Sequence, residues 1–149
     1  MAEITGLGTK FLREDDYGDY DEIAQVASIG PPQLQRDVVE VNSLNPPNQI
    51  KEKLLGLIDA GELTVVLNFD PEEETQQLLE YDLSVGEERN YRIEYPFDDT
   101  IYESGGYYEI TGIVTGFALQ EIAPSDVMQA EVTIAVTAKP EYHDPVEIV

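Results

Sequence analysis

The sequence predicts a mainly β protein, an antiparallel sandwich or barrel with one flanking α-helix. Three observations carry that expectation. About seven short stretches alternate apolar and polar residues with the period of two of a half-buried strand. Gly, Pro and Asp clusters that break strands separate them. Only one stretch, from Asp70 to Leu83, joins a helix start signal to an apolar stripe.

A chain of 149 residues fits one domain and can bury roughly 68–70% of its unfolded surface. The expected organisation is a single domain over residues 1–149, with a flexible N-terminal arm (1–8), a long loop (42–61) and a C-terminal tail (140–149). The small and flexible residues of "MAEITGLG" make the arm. "TKFLREDD" reads as a short strand, and "DYGDY" around Gly18 as a turn. "EIAQVASIG" is a strand with Ile23, Val26 and Ile29 as burial candidates, broken by "GPPQ". "QLQRDVVEV" resumes as a strand with imperfect alternation. The acidic run "EDDYGDYDE" misplaces the glycine and distal glutamate of a calcium-binding EF-hand loop, and reads as a solvated hairpin.

"NSLNPPNQ" is a loop by local rules, with prolines at 46 and 47. "IKEKLLGLIDAG" fits about two helical turns, with Ile50, Leu54 and Ile58 on one face. The sequence leaves two readings of this segment open. It is a loop ending in a short core-covering helix, or it orders only against a partner.

"ELTVVLNFD" is the clearest strand, with Leu63, Val65, Leu67 and Phe69 on one face. "DPEEETQQLLEYDL" is the clearest helix. Asp70 is its expected cap, Pro71 suits the first position, and Glu72, Glu73 and Glu74 favour the first turn. Leu79 and Leu83, with Leu78 beside them, form a stripe that must bury, and a sheet is the expected partner. "SVGEE" ends the helix. "RNYRIEY" alternates Tyr91, Ile93 and Tyr95 against Asn90, Arg92 and Glu94. "PFDD" and "ESGG" are turns. "YYEITGIVTGFALQEI" is a long strand whose glycines at 112 and 116 predict a bend or bulge. "APSD" turns the chain, "VMQAEVTIAVTA" points Val132, Ile134, Val136 and Ala138 inward, and "KPEYHDPVEIV" is a tail.

The residues point away from catalysis. The chain has no cysteine, which excludes disulfides, thiolate metal sites and a cysteine nucleophile. His143 is the one histidine, and it lies in the tail beside Asp144, where a solvated side chain is expected. No serine sits in a strained elbow. No His or carboxylate set shows metal-ligand spacing, and "GLG" at 6–8 is too short for a dinucleotide loop. Tyr91, Tyr95, Tyr107 and Tyr108 suit sheet packing or interfaces. The expectation is a non-enzyme with no cofactor and no metal. No apolar run approaches the roughly 20 residues of a membrane span, and the N-terminal residues show no signal-peptide pattern.

With 31 acidic and 8 basic residues the net charge is −23. That opposes binding to nucleic acid backbones or anionic lipid. It leaves three readings: a solvated, salt-adapted surface, a DNA mimic that occupies a DNA-binding protein, or a surface that faces DNA without adhering to it.

The order of elements from Ser28 to Leu79 resembles the signature stretch of long-tailed-phage major tail, or tail-tube, proteins. Arg36-Asp37-Val38 matches the family's aspartate-bearing strand, and Ser43-Leu44 its serine/leucine loop. Gly56, Leu57, Asp59, Ala60, Gly61 and Glu62 match a "GL-D-AGE" turn. Asn68, Phe69, Asp70 and Pro71 match the strand ending that precedes a helix with paired leucines. "YEITGIVTGFALQEIAPSDVMQAEVTIAVTAKP" is similar to the closing hairpin. The resemblance covers about residues 22 to 140. Pro46 and Pro47 depart from the more usual "DSPG"-like loop.

The resemblance implies a virion structural subunit, present in the host cytoplasm before assembly. Its hexameric rings would stack into the tail tube through which DNA passes during ejection. Implied partners are further copies of the chain and the tape measure, tail terminator and tail-tip proteins, with no membrane. The runner-up is the acidic DNA-mimic binding module. Under the resemblance, Leu44, Pro46, Pro47, Leu54, Leu55 and Ile58 are expected at contacts between rings or subunits. Asp37, Glu40, Glu109 and Glu131 are the candidate channel-facing carboxylates. Asp37 and Glu40 are three positions apart, so a regular strand cannot face both inward. Glu131 is out of phase with Val132, Ile134 and Val136 and is the best single candidate.

Overall fold

The computed structural model describes residues 6–41 and 52–148. Six strands precede the helix: Lys10–Glu14 (β1), Tyr20–Glu22 (β2), Val26–Gly30 (β3), Gln35–Val41 (β4), Glu52–Asp59 (β5) and Glu62–Asn68 (β6). The helix is Glu74–Val85 (α1). Then follow Arg89–Glu94 (β7), Tyr102–Ser104 (β8), Tyr107–Leu119 (β9), Gln129–Val136 (β10), Glu141–His143 (β11) and Val146–Glu147 (β12). The main sheet runs β2-β1-β7-β9-β10-β6-β3, with β11 added to β9. β4 pairs with β5, and β8 with β12, as separate ladders. Among the described residues no helix is long and apolar enough to cross a membrane.

The sheet curls until its two edges come near each other, and the chain shows why. β2 and β3 are its two edges, yet only Ile23, Ala24 and Gln25 separate them. That connection spans at most ~14 Å. A flat path of seven strands would part its edges by about 29 Å. The sheet must therefore curl, in keeping with the expected antiparallel sandwich or barrel. Gln25 turns the corner with φ 59°, and its carbonyl accepts the Asn68 amide at 2.8 Å.

One face of the curled sheet is the core. Ile134 lies opposite Leu63, Val132 opposite Val65, and Ala130 opposite Leu67; all six are buried. Tyr91 faces Ile110, and Phe11 stacks on Tyr91 at 5.6 Å between centroids. Ile23 is buried, and Val26 and Ile29 pack at its margin. The bend expected in the long strand is a bulge. Thr133 pairs with Gly116 and Ile134 with Val114, so Thr115 is the extra residue. Inward residues of β9 thus shift from Ile110 and Val114 to Phe117.

The helix caps the barrel. Leu79 is fully buried, which favours docking by about 1.5–3 kcal/mol, and Leu83 packs partly. At its first turn, the Gln76 amide donates to Ala24 and Asn68 carbonyls, both at 3.0 Å, and accepts the Asp70 amide. Near its end, Asp82 receives Arg13 and Tyr91. Gly86, at φ 72°, closes it.

Four expectations change. Glu73, not Asp70, is the helix cap; Asp70 instead orders the preceding turn by accepting the Glu72 amide at 3.0 Å. The helical turns expected in "IKEKLLGLIDAG" are replaced over 52–59 by β5, because β4 offers a ladder that outcompetes a short, Gly-containing helix. The C-terminal stretch is not a free tail, since β11 pairs with β9 and β12 with β8. Ala138 is exposed beyond the end of β10. Residues 1–5 of the expected arm and residues 42–51 of the expected 42–61 loop lie outside the described residues.

Candidate functional surfaces

A two-stranded ribbon leaves one end of the barrel. β3 continues through Gly30 and Pro31 into β4, and β5 continues through Gly61 into β6. Gly30 pairs with Thr64, and Gln35 with Asp59, so the same two chain segments form both ladders. Gly61 has φ 73°, and a Cβ there would lie 3.0 Å from the Gln33 carbonyl oxygen. Only glycine suits that joint.

Among its described side chains the ribbon exposes several large apolar ones. Val38 and Val39 are each 52% exposed, Leu57 86% and Ile58 41%. An isolated two-stranded ladder is marginal in water, and a contiguous exposed apolar surface marks an interaction site. Of the predicted contact residues, Leu54 and Leu55 sit in β5 opposite Val39 and Val38. Ile58 is opposite Arg36. Leu44, Pro46 and Pro47 lie outside the described residues.

Asp37 and Glu40 are on the ribbon, not on the barrel wall, and both are exposed. The ladder steps from Arg36–Ile58 to Val38–Leu55, so Gly56 and Leu57 together face Asp37. The extra residue is on β5. β4 keeps its alternation, and Asp37 and Glu40 stay in opposite phase.

Glu131 and Glu109 are on the barrel's outward face. Glu131 pairs across to Val66 and Ala118, in antiphase with buried Val132. Its carboxylate accepts the Gln120 side-chain amide at 3.1 Å. Glu109 lies nine positions before Ala118 on β9, about 30 Å along a strand. The two carboxylates therefore mark opposite ends of one surface.

Around Glu109 the outward face is dense. The Arg92 guanidinium lies 3.7 Å from the Tyr20 ring centre and 4.2 Å from that of Tyr107. Tyr107 stacks on His143 at 4.5 Å. The Tyr20 hydroxyl donates to Glu109 at 3.3 Å, and burial pushes the Tyr20 phenol pKa up. Glu109, Glu141 and His143 present ligand atoms within 4.8 Å of one another. Sequence spacing gave no such set. It arises because β11 folds back on β9, and the only signal was the mirrored patterns "YYE" and "EYH". Sequence reasoning also missed Asp82, although a carboxylate between Leu79 and Leu83 on a buried stripe announces a buried partner.

The profile of the family described as lambda phage tail tube protein matches residues 4–143. No curated protein matches the chain. Solved structures with a similar fold include a sheath/tube terminator structure of an extracellular contractile injection system. It has TM-score 0.74 and 12% identity, covering 96% of this chain and 98% of that one. The tail of an empty gene transfer agent particle, refined with C6 symmetry, gives TM-score 0.66 and 14% identity over 89% and 94%. The SPP1 tail tube gives 0.68 and 10% over 97% and 81%. At these identities the likeness is one of fold.

Proposed function

The chain belongs to the lambda phage tail tube protein family, and from that membership we propose that it forms hexameric rings stacked into an acidic channel for DNA. That it is a structural tail-tube subunit of phage or phage-like particles follows from the family and the shared fold. Family and neighbours alike are structural proteins, not enzymes.

The observation that carries the assembly reading is the ribbon. Exposed Val38, Val39, Leu57 and Ile58 on a marginal ladder need a cover, and the next ring of the same chain supplies one. Leu54, Leu55 and Ile58, with Leu44, Pro46 and Pro47 beyond them, are the proposed contact residues. Barrel and ribbon act together as one tail-tube domain. Tape measure, terminator and tip proteins are the proposed further partners, and the host cytoplasm is the compartment before assembly.

The charge of −23 supports the channel reading. Duplex DNA carries one negative charge per roughly 1.7 Å, and screening decays over about 8 Å at physiological salt. Lining carboxylates repel DNA from the wall at that range, and Glu131 leads the candidates, followed by Glu109, Asp37 and Glu40. Negative-stain microscopy of concentrated protein tests the proposal. Uniform hollow tubes support it. A stable monomer that binds a DNA-binding protein stoichiometrically and never polymerises would replace it with a DNA-mimic module.

A further inference from the structure

We propose that Glu109, Glu141 and His143 form a binding site for a zinc-type divalent ion, which would fasten β11 to the barrel. β pairing builds the set. Glu141 lies directly opposite Glu109, and His143 opposite Tyr107. Residues two apart share a face, so both carboxylates and the imidazole project from the same side. Two like charges directly opposite on paired strands repel, and such an arrangement calls for a cation between them.

The distances suit a metal better than a hydrogen bond. His143 Nε2 is 3.4 Å from Glu109 Oε2 and 3.7 Å from Glu141 Oε2. Charge-assisted hydrogen bonds run about 2.7–2.9 Å, and this buried Nε2 has no hydrogen-bond partner. Zinc bonds of roughly 2.0–2.1 Å at a tetrahedral angle put neighbouring ligand atoms about 3.3 Å apart. Small shifts of two carboxylates close the site.

The supporting groups are in place. The Tyr20 hydroxyl sits between Glu14 at 3.1 Å and Glu109 Oε1 at 3.3 Å, and Glu109 Oε2 is the oxygen turned to the imidazole. Tyr107 stacks on the ring and fixes its plane. Outer partners of this kind orient metal ligands. One nitrogen and two carboxylate oxygens favour zinc or a similar ion over calcium or magnesium, which prefer all-oxygen shells. Glu141 is 74% exposed, so the ion has an entry path, and the fourth position is open to water or to a neighbouring chain.

The full chain offers a direct test, because His143 is the one histidine and its imidazole NMR signals need no variant. Zinc chloride should shift them to saturation at one equivalent, while magnesium leaves them unchanged. Calorimetry should show affinity falling about tenfold or more in His143→Ala and Glu141→Gln. Amide exchange of Glu141–His143 should slow with zinc in the native chain. Unmoved imidazole signals at one equivalent would overturn the site. So would equal zinc affinity in a folded His143→Ala, which would assign the binding to diffuse surface carboxylates.

Discussion

Arg13 and Asp82, 69 positions apart, meet inside the barrel as a two-pronged ion pair of 2.7 and 2.6 Å. Tyr91 donates to the same carboxylate at 2.9 Å, and Arg89 Nε lies 3.1 Å from it. The hydrogen bond to Asp82 raises the Arg13 pKa. Asp82→Ala would leave Arg13 buried without its partner, at a cost of about 3–5 kcal/mol. Urea unfolding checks this. The double variant Arg13→Met with Asp82→Leu should recover only part of the loss, since an apolar pair replaces the desolvated ionic one while the buried Tyr91 hydroxyl loses its acceptor.

The same cluster governs alkaline stability. Burial, and then the Asp82 charge, raise the Tyr91 phenol pKa. A raised folded pKa contributes stability that is fully present below the unfolded value, near 10, and is lost as pH rises beyond it. The Tyr91 phenolate should therefore appear only as near-UV dichroism collapses. Tyr91→Phe should cost about 1.5–3 kcal/mol at neutral pH and make stability fall less steeply above pH ~10.

The bulge in β9 separates two glycines by consequence. A Cβ on Gly112 would lie 2.5 Å from the Ala135 carbonyl oxygen and 2.8 Å from Ile134 Cγ2. At Gly116 the nearest atom would be Thr133 Cβ at 3.6 Å. Gly112→Ala should destabilise by about 1–3 kcal/mol, and Gly116→Ala should stay within about 0.5 kcal/mol. Thermal melts of the two variants make the comparison.

On the ribbon, Ile58→Asp should leave monomer stability within about 0.5 kcal/mol, because the side chain is exposed. Tubes should be absent from electron micrographs. Tubes as frequent as those of the unaltered chain would remove the ribbon from the stacking contact.

Glu131→Lys should preserve tube formation, since the residue lies on the outward face away from the core. In virions built with it, a positive ring in every layer should slow genome ejection. Unchanged ejection kinetics would take Glu131 out of the channel field.

Legibility followed the range of the forces. Glu62–Asn68 was readable because strict alternation of Leu63, Val65 and Leu67 fits one period only. The helix was readable from Leu79 and Leu83, but its cap was not, since Asp70 and Glu73 both offer a carboxylate and only the fold shows that the Asp70 carboxylate is taken by the Glu72 amide. The misread segment 52–59 carries Leu54, Leu55, Leu57 and Ile58, which satisfy helix and strand periods alike, and pairing with β4 decides. Asp82 and His143 take their meaning from Arg13 and Glu109, far off in sequence, where no local pattern reaches. Glu131's phase was legible from its neighbours, whereas the displacement of Asp37 onto a projecting ribbon was not.

The sheet order has a consequence for biosynthesis. β6 sits between β3 and β10, with Leu63 against Ile134. The ribosome delivers β3 and β6 long before β10, so a growing chain holds half a barrel with an open edge and a partly naked apolar face. Non-local pairing of this kind forms slowly and exposes sticky surface meanwhile. The sheet is completed only when β10 joins β6 to β9. Chaperone demand therefore concentrates in that interval.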